Sequence, residues 1–135
     1  MWCYFFVKWK LTDADWLILV RNSAALPKKS IFMNLTQEQW ALQLENDQNA
    51  VVLDVRTPDE WEEGIIPGAL MIDIYTGQEF LAKIDSLEKS KNYYVYCKAG
   101  SRSAQACEIM NQMGFQTTYN LLGGISQWRG ERILP

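Results

Sequence analysis

The chain has 135 residues, of which 48% are hydrophobic and 21% are charged, a composition typical of one folded domain rather than two. Its 13 basic and 16 acidic residues leave a formal net charge of −3, which argues against nucleic acid as a partner. The chain contains no histidine, which excludes Ser-His-Asp and Cys-His catalytic groups, histidine general bases and histidine metal ligands. Any catalysis must therefore work without imidazole.

The three cysteines, Cys3, Cys97 and Cys107, form neither an even set for disulfides nor a Cys-x-x-Cys pair. This pattern argues against a structural zinc site and a thioredoxin-type redox motif, and it favours reduced thiols in the cytoplasm. Charged residues interrupt the apolar stretches, so none approaches the roughly 18 uncharged residues of a membrane-spanning helix. We therefore expect no integral membrane association.

Residues 1–32 differ in pattern from the rest of the chain. Met1–Val7 and Trp16–Val20 are apolar, without a clear helical or alternating period. A signal peptide is a poor match because the charged residues follow the first apolar run. Three interpretations stay open: an extra strand or helix packed on the domain, a docking or membrane-surface segment, or a start codon assigned upstream of a true start at Met33. We accordingly divide the chain into an N-terminal extension, 1–32, and a folded domain, 33–135.

The first regular elements predicted in the domain are a helix and a buried strand. Thr36 and Gln39 have the spacing of a capping box at the start of a helix. The apolar face of that helix consists of Trp40, Ala41 and Leu44. Ala50–Val55 is short and almost continuously apolar, which is typical of a strand buried on both faces.

A second, short helix is predicted next. Thr57 and Glu60 form another capping box, Pro58 suits the first helical position, and Gly64 ends the helix after about two turns. The acidic residues of this helix are expected on a solvated face: Asp59, Glu60, Glu62 and Glu63. A short strand at Ala69–Asp73 and a helix from Gln78 to about Ile84 follow.

The remaining elements alternate between strand and helix. We predict strands at Tyr93–Tyr96 and Phe115–Leu121, a helix at Ser103–Met113 between them, and a last helix that contains Ile125 and Trp128. Cys107 shares the apolar face of its helix with Ala106 and Met110, so we interpret it as a core residue rather than a resolving thiol. Alternating strands and helices predict a single α/β domain with a mainly parallel central sheet flanked by helices.

The chemistry is expected at Cys97, which follows a predicted central strand and precedes a helix. This position lies at the carboxyl edge of a parallel sheet, where ligands bind and where unpaired N–H groups of a helix N-terminus stabilise an anion. The pKa of the thiol should fall there, with help from Lys98 and Arg102. Cys97 is thus a candidate thiolate nucleophile that needs no histidine.

The loop after Cys97 also has an informative size. Gly100 allows its backbone amides to point inward as a cradle for the sulfur and for whatever is attached to it. Four residues separate Cys97 from Arg102, whereas cysteine-dependent phosphatases place five residues between cysteine and arginine. The smaller cradle suits a single terminal sulfur better than a phosphoryl group.

Five segments, taken in order, are similar to the successive motifs of one family. They are Val52-Leu53-Asp54-Val55-Arg56, Pro58-Asp59-Glu60-Trp61-Glu62-Glu63-Gly64, Ile66-Pro67-Gly68-Ala69, Cys97-Lys98-Ala99-Gly100-Ser101-Arg102-Ser103, and Leu122-Gly123-Gly124 through Trp128. Together they resemble a single-domain rhodanese, a thiosulfate-type sulfurtransferase, over roughly Asn34 to Arg129.

The resemblance implies a ping-pong reaction through a persulfide on Cys97. The thiolate would take the outer sulfur of a small anionic donor such as thiosulfate, or of a persulfide, and pass it to cyanide or to a thiol, including a thiol on a protein. The resemblance implies no metal and no organic cofactor. It assigns binding of the persulfide and substrate to the loop residues Lys98, Ala99, Gly100, Ser101 and Arg102. It also implies that Asp54 and Arg56 support the loop through a buried network rather than by contact with substrate.

The sequence departs from the family pattern at Ile65, where members commonly carry histidine, and this puts local hydrogen bonding there in doubt. Two other functions stay open. The first is a non-enzymatic persulfide carrier or regulatory binding module that shares Cys97 but turns over slowly with free thiosulfate. The second is a phosphatase or arsenate reductase on the same scaffold, which the short loop disfavours.

Overall fold

A central parallel sheet organises the protein, whose computed structural model describes residues 30–135. The strands are β1 (Ile31–Leu35), β2 (Ala50–Asp54), β3 (Leu70–Met71), β4 (Asn92–Tyr96) and β5 (Thr117–Leu121). Their spatial order is β1-β5-β4-β2-β3, and every neighbouring pair is parallel. The predicted α/β class with a parallel sheet is confirmed.

Helices connect the strands and cover the sheet. They are α1 (Gln37–Asn46), α2 (Pro58–Glu62), α3 (Gln78–Asp85) and α4 (Ser101–Gln112), and two single 3-10 turns lie at Ile74–Thr76 and Ile125–Gln127. The capping box of Thr36 and Gln39 is present at the start of α1, as predicted. Within residues 30–135, no helix has the length and apolar character needed to cross a bilayer.

The direction of the chain connections reverses beside the end of β4. The chain leaves β2 towards β3 at one edge of the sheet, whereas it leaves β4 towards β5 in the opposite direction. In open parallel sheets, ligands bind where the connections diverge in this way, at the carboxyl ends of the strands. Cys97 directly follows β4 and therefore lies at this point of divergence.

The alternation of side chains along β4 divides the core into two layers. Tyr93, Val95 and Cys97 belong to one apolar cluster, which also contains residues of α3 and α4. Tyr94 and Tyr96 point the other way, into a second cluster with Trp40 of α1. The central strand is thus buried on both faces, and this rigid strand carries Cys97 at its end.

The structure differs from the sequence predictions in several elements. The strand β1 was not predicted, and it begins at Ile31, two residues before the proposed boundary at Met33. The predicted last helix is a single 3-10 turn, and Trp128 lies beyond it in an extended conformation. There the ring of Trp128 packs edge-on against Trp40, with 5.5 Å between the ring centroids. The three interpretations of the N-terminal extension depend mainly on residues 1–29, and these lie outside the described part of the chain.

Candidate active site

The Sγ atom of Cys97 lies in a cradle of hydrogen-bond donors. The backbone N–H of Gly100 donates to Sγ at 3.0 Å, and the hydroxyl of Ser103 lies 3.3 Å from it. The side chain is fully buried, with 0% of the residue surface exposed. A buried sulfur with inward-pointing donors is arranged to carry negative charge.

Glycine at position 100 has a structural reason. Its φ is +108°, in the left-handed region that other residues rarely adopt, and this conformation turns its N–H towards Cys97. The sequence prediction that Gly100 lets the loop curl inward agrees with this geometry.

The environment lowers the pKa of Cys97. Burial raises the pKa of this thiol, but the hydrogen bonds from the Ser103 hydroxyl and from the N–H groups of Ser103, Gly100 and Ala99 outweigh burial. Cys107, buried in the core without such a cradle, has its pKa raised to about 12 by burial. Of these two buried thiols, Cys97 is therefore the one prepared to act as a thiolate.

The turn after β5 clamps the loop from outside. The N–H of Ile125 donates to the carbonyl of Cys97 at 2.9 Å, and the N–H of Ser126 donates to the carbonyl of Lys98 at 3.0 Å. Between these contacts the two backbones approach so closely that a Cβ on Gly124 would lie 2.4 Å from the carbonyl oxygen of Lys98. This explains why a Gly-Gly turn far along the chain accompanies the cysteine loop.

Two polar residues that the sequence analysis did not assign to the site, Ser103 and Asn120, connect the cradle to the sheet. Besides Cys97, the Ser103 hydroxyl faces Asn120 Oδ1 at 2.5 Å and the carbonyl of Gly100 at 3.2 Å. The amide of Asn120 donates to Asn34 Oδ1 at 2.8 Å and to the carbonyl of Gly100 at 3.2 Å. These residues come from β1, α4 and β5, so no local sequence pattern could have grouped them.

Asp54 and Arg56 form a buried ion pair at 2.8 Å. Arg56 also donates to the carbonyls of Glu60 and Gly64, at 3.2 and 2.7 Å, and Asp54 accepts from the indole of Trp61 at 3.3 Å. The pair thus holds α2 in place. Its link to the cysteine loop runs through Glu60, which α2 carries.

Glu60 does not lie on a solvated face as predicted. Its carboxylate receives two hydrogen bonds from the guanidinium of Arg102, at 2.7 and 2.9 Å, and both side chains are partly buried. Arg102, which the resemblance assigns to binding of the persulfide and substrate, is thus paired with a carboxylate of the chain itself. Asp59, Glu62 and Glu63 are exposed, as expected.

The remaining loop residues lie at the surface. Lys98, Ala99 and Ser101 are exposed, and Ser101 is the first residue of α4. Ile65, where the family commonly has histidine, is buried, and its backbone forms an antiparallel bridge to Ile133 with hydrogen bonds of 2.8 and 2.9 Å. Residues 30–135 contain no cluster of three or more Cys, Asp or Glu side chains that could hold a metal ion.

Comparison with known proteins agrees with this architecture. Residues 37–131 match the Rhodanese-like domain family. A protein named "Sulfurtransferase" from Allochromatium vinosum is 31% identical over 94 residues, which cover 70% of this chain and 85% of that protein. A "Thiosulfate sulfurtransferase GlpE" from Coxiella burnetii is 35% identical over 92 residues, 68% of this chain and 81% of that one.

Solved structures show the same similarity. The crystal structure of a rhodanese-like domain protein from Staphylococcus aureus superimposes with a TM-score of 0.67 at 28% identity, over 76% of this chain and 98% of that one. Because the family match spans most of the described residues and the relatives are aligned over most of their length, the chain belongs to the rhodanese-like family. Its relatives that carry the sulfurtransferase name support a transferase of that family.

Proposed function

We propose that this protein is a sulfurtransferase that moves a sulfane sulfur from thiosulfate or a persulfide donor to a thiol or cyanide, through a persulfide on Cys97. The observation that carries the proposal is the cradle around Sγ, with donors at 3.0 and 3.3 Å and a lowered pKa. A stable thiolate is the nucleophile that attack on a sulfur–sulfur bond requires. The need for a reduced thiol also favours the cytoplasm as the compartment.

In the first step, the Cys97 thiolate attacks the outer sulfur of thiosulfate. A new bond forms between Sγ and that sulfur, the sulfur–sulfur bond of the donor breaks, and its electron pair leaves with sulfite. The outer sulfur of the Cys97 persulfide then carries the negative charge. The N–H groups of the loop, from Lys98 to Arg102, are the donors available to stabilise it.

In the second step, an acceptor thiolate or cyanide attacks the outer sulfur of the persulfide. The bond to Sγ breaks, and its electron pair returns to Cys97 as the thiolate, so the enzyme is ready for another donor. No external oxidant or reductant is consumed. Lys98 is exposed beside the cradle and supplies positive charge that attracts anionic donors.

Intact mass spectrometry after thiosulfate treatment under non-reducing conditions tests the proposal. We expect the wild-type protein to gain one sulfur atom that cyanide removes. Cys97→Ser should abolish the gain, whereas the matched Cys107→Ser variant should retain it, because Cys107 lies in the core with a raised pKa. A folded wild-type protein that gains no sulfur from thiosulfate or from a persulfide would refute the proposal.

The same cradle would also hold the persulfide in one alternative, a carrier that accepts sulfur from a protein partner. Such a carrier would form the same persulfide but would turn over slowly with free thiosulfate and cyanide. Steady-state thiocyanate production separates the two functions. Sustained turnover indicates an enzyme, and a single stoichiometric transfer indicates a carrier.

A further inference from the structure

The hydroxyl of Ser103 has one proton and three acceptors within reach. Its Oγ atom lies 3.3 Å from Cys97 Sγ, 3.2 Å from the carbonyl oxygen of Gly100 and 2.5 Å from Asn120 Oδ1. Cys97 and Ser103 are fully buried and Asn120 is 2% exposed, so bulk water does not reach the three side chains. The single proton therefore serves only one of these acceptors well at a time.

The orientation of the Asn120 amide is fixed by its other contacts. The far side of this amide lies 3.2 Å from the carbonyl oxygen of Gly100 and 2.8 Å from Asn34 Oδ1. A backbone carbonyl can only accept, so the NH2 group lies on that side and Oδ1 faces Ser103. The carbonyl of Gly100 also accepts from the N–H of Ala104 at 3.2 Å, so it does not depend on Ser103. The competition for the proton is thus between Cys97 Sγ and Asn120 Oδ1.

The charge on Sγ decides this competition. A thiolate is a stronger acceptor than an amide oxygen and draws the proton of Ser103 towards itself. Burial raises the pKa of Cys97, and the hydroxyl of Ser103 is the strongest of the hydrogen bonds that oppose burial. A protonated thiol, or the inner sulfur of a persulfide, carries no charge and is a weak acceptor, so the proton then returns to Asn120 Oδ1.

We propose that Asn120 is a positioning residue that holds the Ser103 proton while Sγ is uncharged and releases it when Sγ becomes a thiolate. Its part in turnover rests on the sulfur transfer proposed above. When Sγ bonds to the outer sulfur of the donor, the charge leaves Sγ and the hydroxyl turns to Asn120. When the acceptor breaks that bond, the electron pair returns to Sγ and the hydroxyl turns back. Ser103 keeps its proton throughout.

Asn120→Leu tests the proposal, because leucine has nearly the same shape but no acceptor. Without Oδ1, the Ser103 proton stabilises the thiolate without competition, so the midpoint of the pH profile of Cys97 alkylation should move to lower pH. Below that midpoint, alkylation should be about threefold faster than in the wild-type protein. A merely structural role for Asn120 predicts the opposite sign, since a disordered cradle leaves burial to raise the pKa of Cys97.

Asn120→Asp is the matched variant, for which we expect a change of opposite sign. It keeps the acceptor, but its carboxylate holds the Ser103 proton more strongly and adds negative charge near Sγ. The midpoint should therefore move to higher pH, and alkylation at neutral pH should slow about tenfold. Two titratable groups that interact electrostatically with Cys97, Arg102 and Cys107, are the same in both variants.

A double-variant cycle measures whether Asn120 acts through Ser103. In a Ser103→Ala background, Asn120→Leu should change the alkylation rate by less than about twofold. The inference is overturned if Asn120→Leu alone moves the midpoint to higher pH or leaves it in place, or if the same shift occurs without Ser103. Alkylation needs no sulfur donor, so a failure of sulfur loading would refute the proposed function and leave the proton competition intact.

A second measurement needs no variant. The 13C chemical shift of the Asn120 side-chain carbonyl reports whether its oxygen accepts a hydrogen bond. We expect this signal to move upfield as the Cys97 thiolate forms, with the same midpoint as alkylation, whereas the exposed amide of Asn46 should stay constant. An Asn120 signal that stays constant through the midpoint would overturn the inference even if neither variant folded.

Discussion

The hydroxyl of Ser103 is the side-chain group that most directly sets the state of Cys97. It lies 3.3 Å from Sγ, and its hydrogen bond is the largest of the effects that lower the pKa of the thiol against burial. The same hydroxyl oxygen lies 2.5 Å from Asn120 Oδ1, so the sulfur and this amide oxygen compete for its one proton. The position of one proton thus links the thiolate to the polar network beneath the loop.

Ser103→Ala should therefore raise the pKa of Cys97. Loss of a donor to the charged form disfavours the thiolate, so the reaction at neutral pH should slow, while the rates at high pH converge with those of the wild-type protein. The pH dependence of Cys97 alkylation, read by mass spectrometry, measures the shift. Ser101→Ala, at an exposed position of the same helix, is the control and should leave the profile in place. An unshifted profile for Ser103→Ala would contradict the role given to the hydroxyl.

At the scale of elements, the cysteine loop is shaped by its contact with the turn that follows β5. The 3-10 turn Ile125–Gln127 contributes two N–H groups to the carbonyls of Cys97 and Lys98. This contact requires the backbones to approach at Gly124. The turn therefore holds the loop in its conformation.

Gly124→Ala should disrupt this contact between the turn and the loop. The added Cβ would lie 2.4 Å from the carbonyl oxygen of Lys98 and would also be strained by a φ of +59°. We expect a loss of about 2–3 kcal/mol in the free energy of unfolding, or roughly 10–20 °C in Tm, together with slower sulfur loading.

Gly77→Ala is the matched control because Gly77 has a similar φ of +61° but open space around its Cβ position. It reports the cost of the backbone conformation alone. Differential scanning calorimetry of both variants separates strain from collision. Equal losses of Tm would show that the close approach at Gly124 has no effect of its own.

At the scale of the whole molecule, the sheet extends beyond the proposed domain boundary at Met33. β1 pairs with β5 from Ile31 to Leu35, and the N–H of Ile31 donates to the carbonyl of Gln116 at 2.7 Å. Phe32 packs against the core cluster that contains Cys97. Residues 31 and 32 therefore belong to the structure of the domain.

A chain that starts at Met33 should be less stable than one that starts at Ser30. It loses two residues of β1 and the packing of Phe32, a loss of about 1–2 kcal/mol that corresponds to roughly 5–10 °C in Tm. Thermal unfolding by circular dichroism compares the two chains and the full-length protein. Identical melting of the two shortened chains would show that strand pairing at residues 31 and 32 contributes nothing to stability.

Local patterns were sufficient for much of the fold. The capping box at Thr36, the buried run at Ala50–Val55 and the strand before Cys97 each predicted an element that the structure contains. The strand β1 was not predicted because its residues do not alternate between buried and exposed. Met33 and Asn34 are both exposed, and β1 pairs with β5 along one edge. Trp128 was misassigned to a helix because its contact with Trp40 is remote in the chain.

Local sequence was enough to single out the candidate nucleophile: Cys97 ends a predicted strand and is followed by a glycine-containing loop and a helix, whose N–H groups can lower the pKa of a thiol without histidine. The groups that surround that thiol come together only in the folded chain. Ser103, Asn120 and Asn34 form a chain of hydrogen bonds beside the loop. Glu60 neutralises Arg102, although the two residues are 42 positions apart in the sequence. The physical reason is that charges and hydrogen bonds act through space over a few ångströms, so a partner supplied by another element leaves no mark in the local pattern.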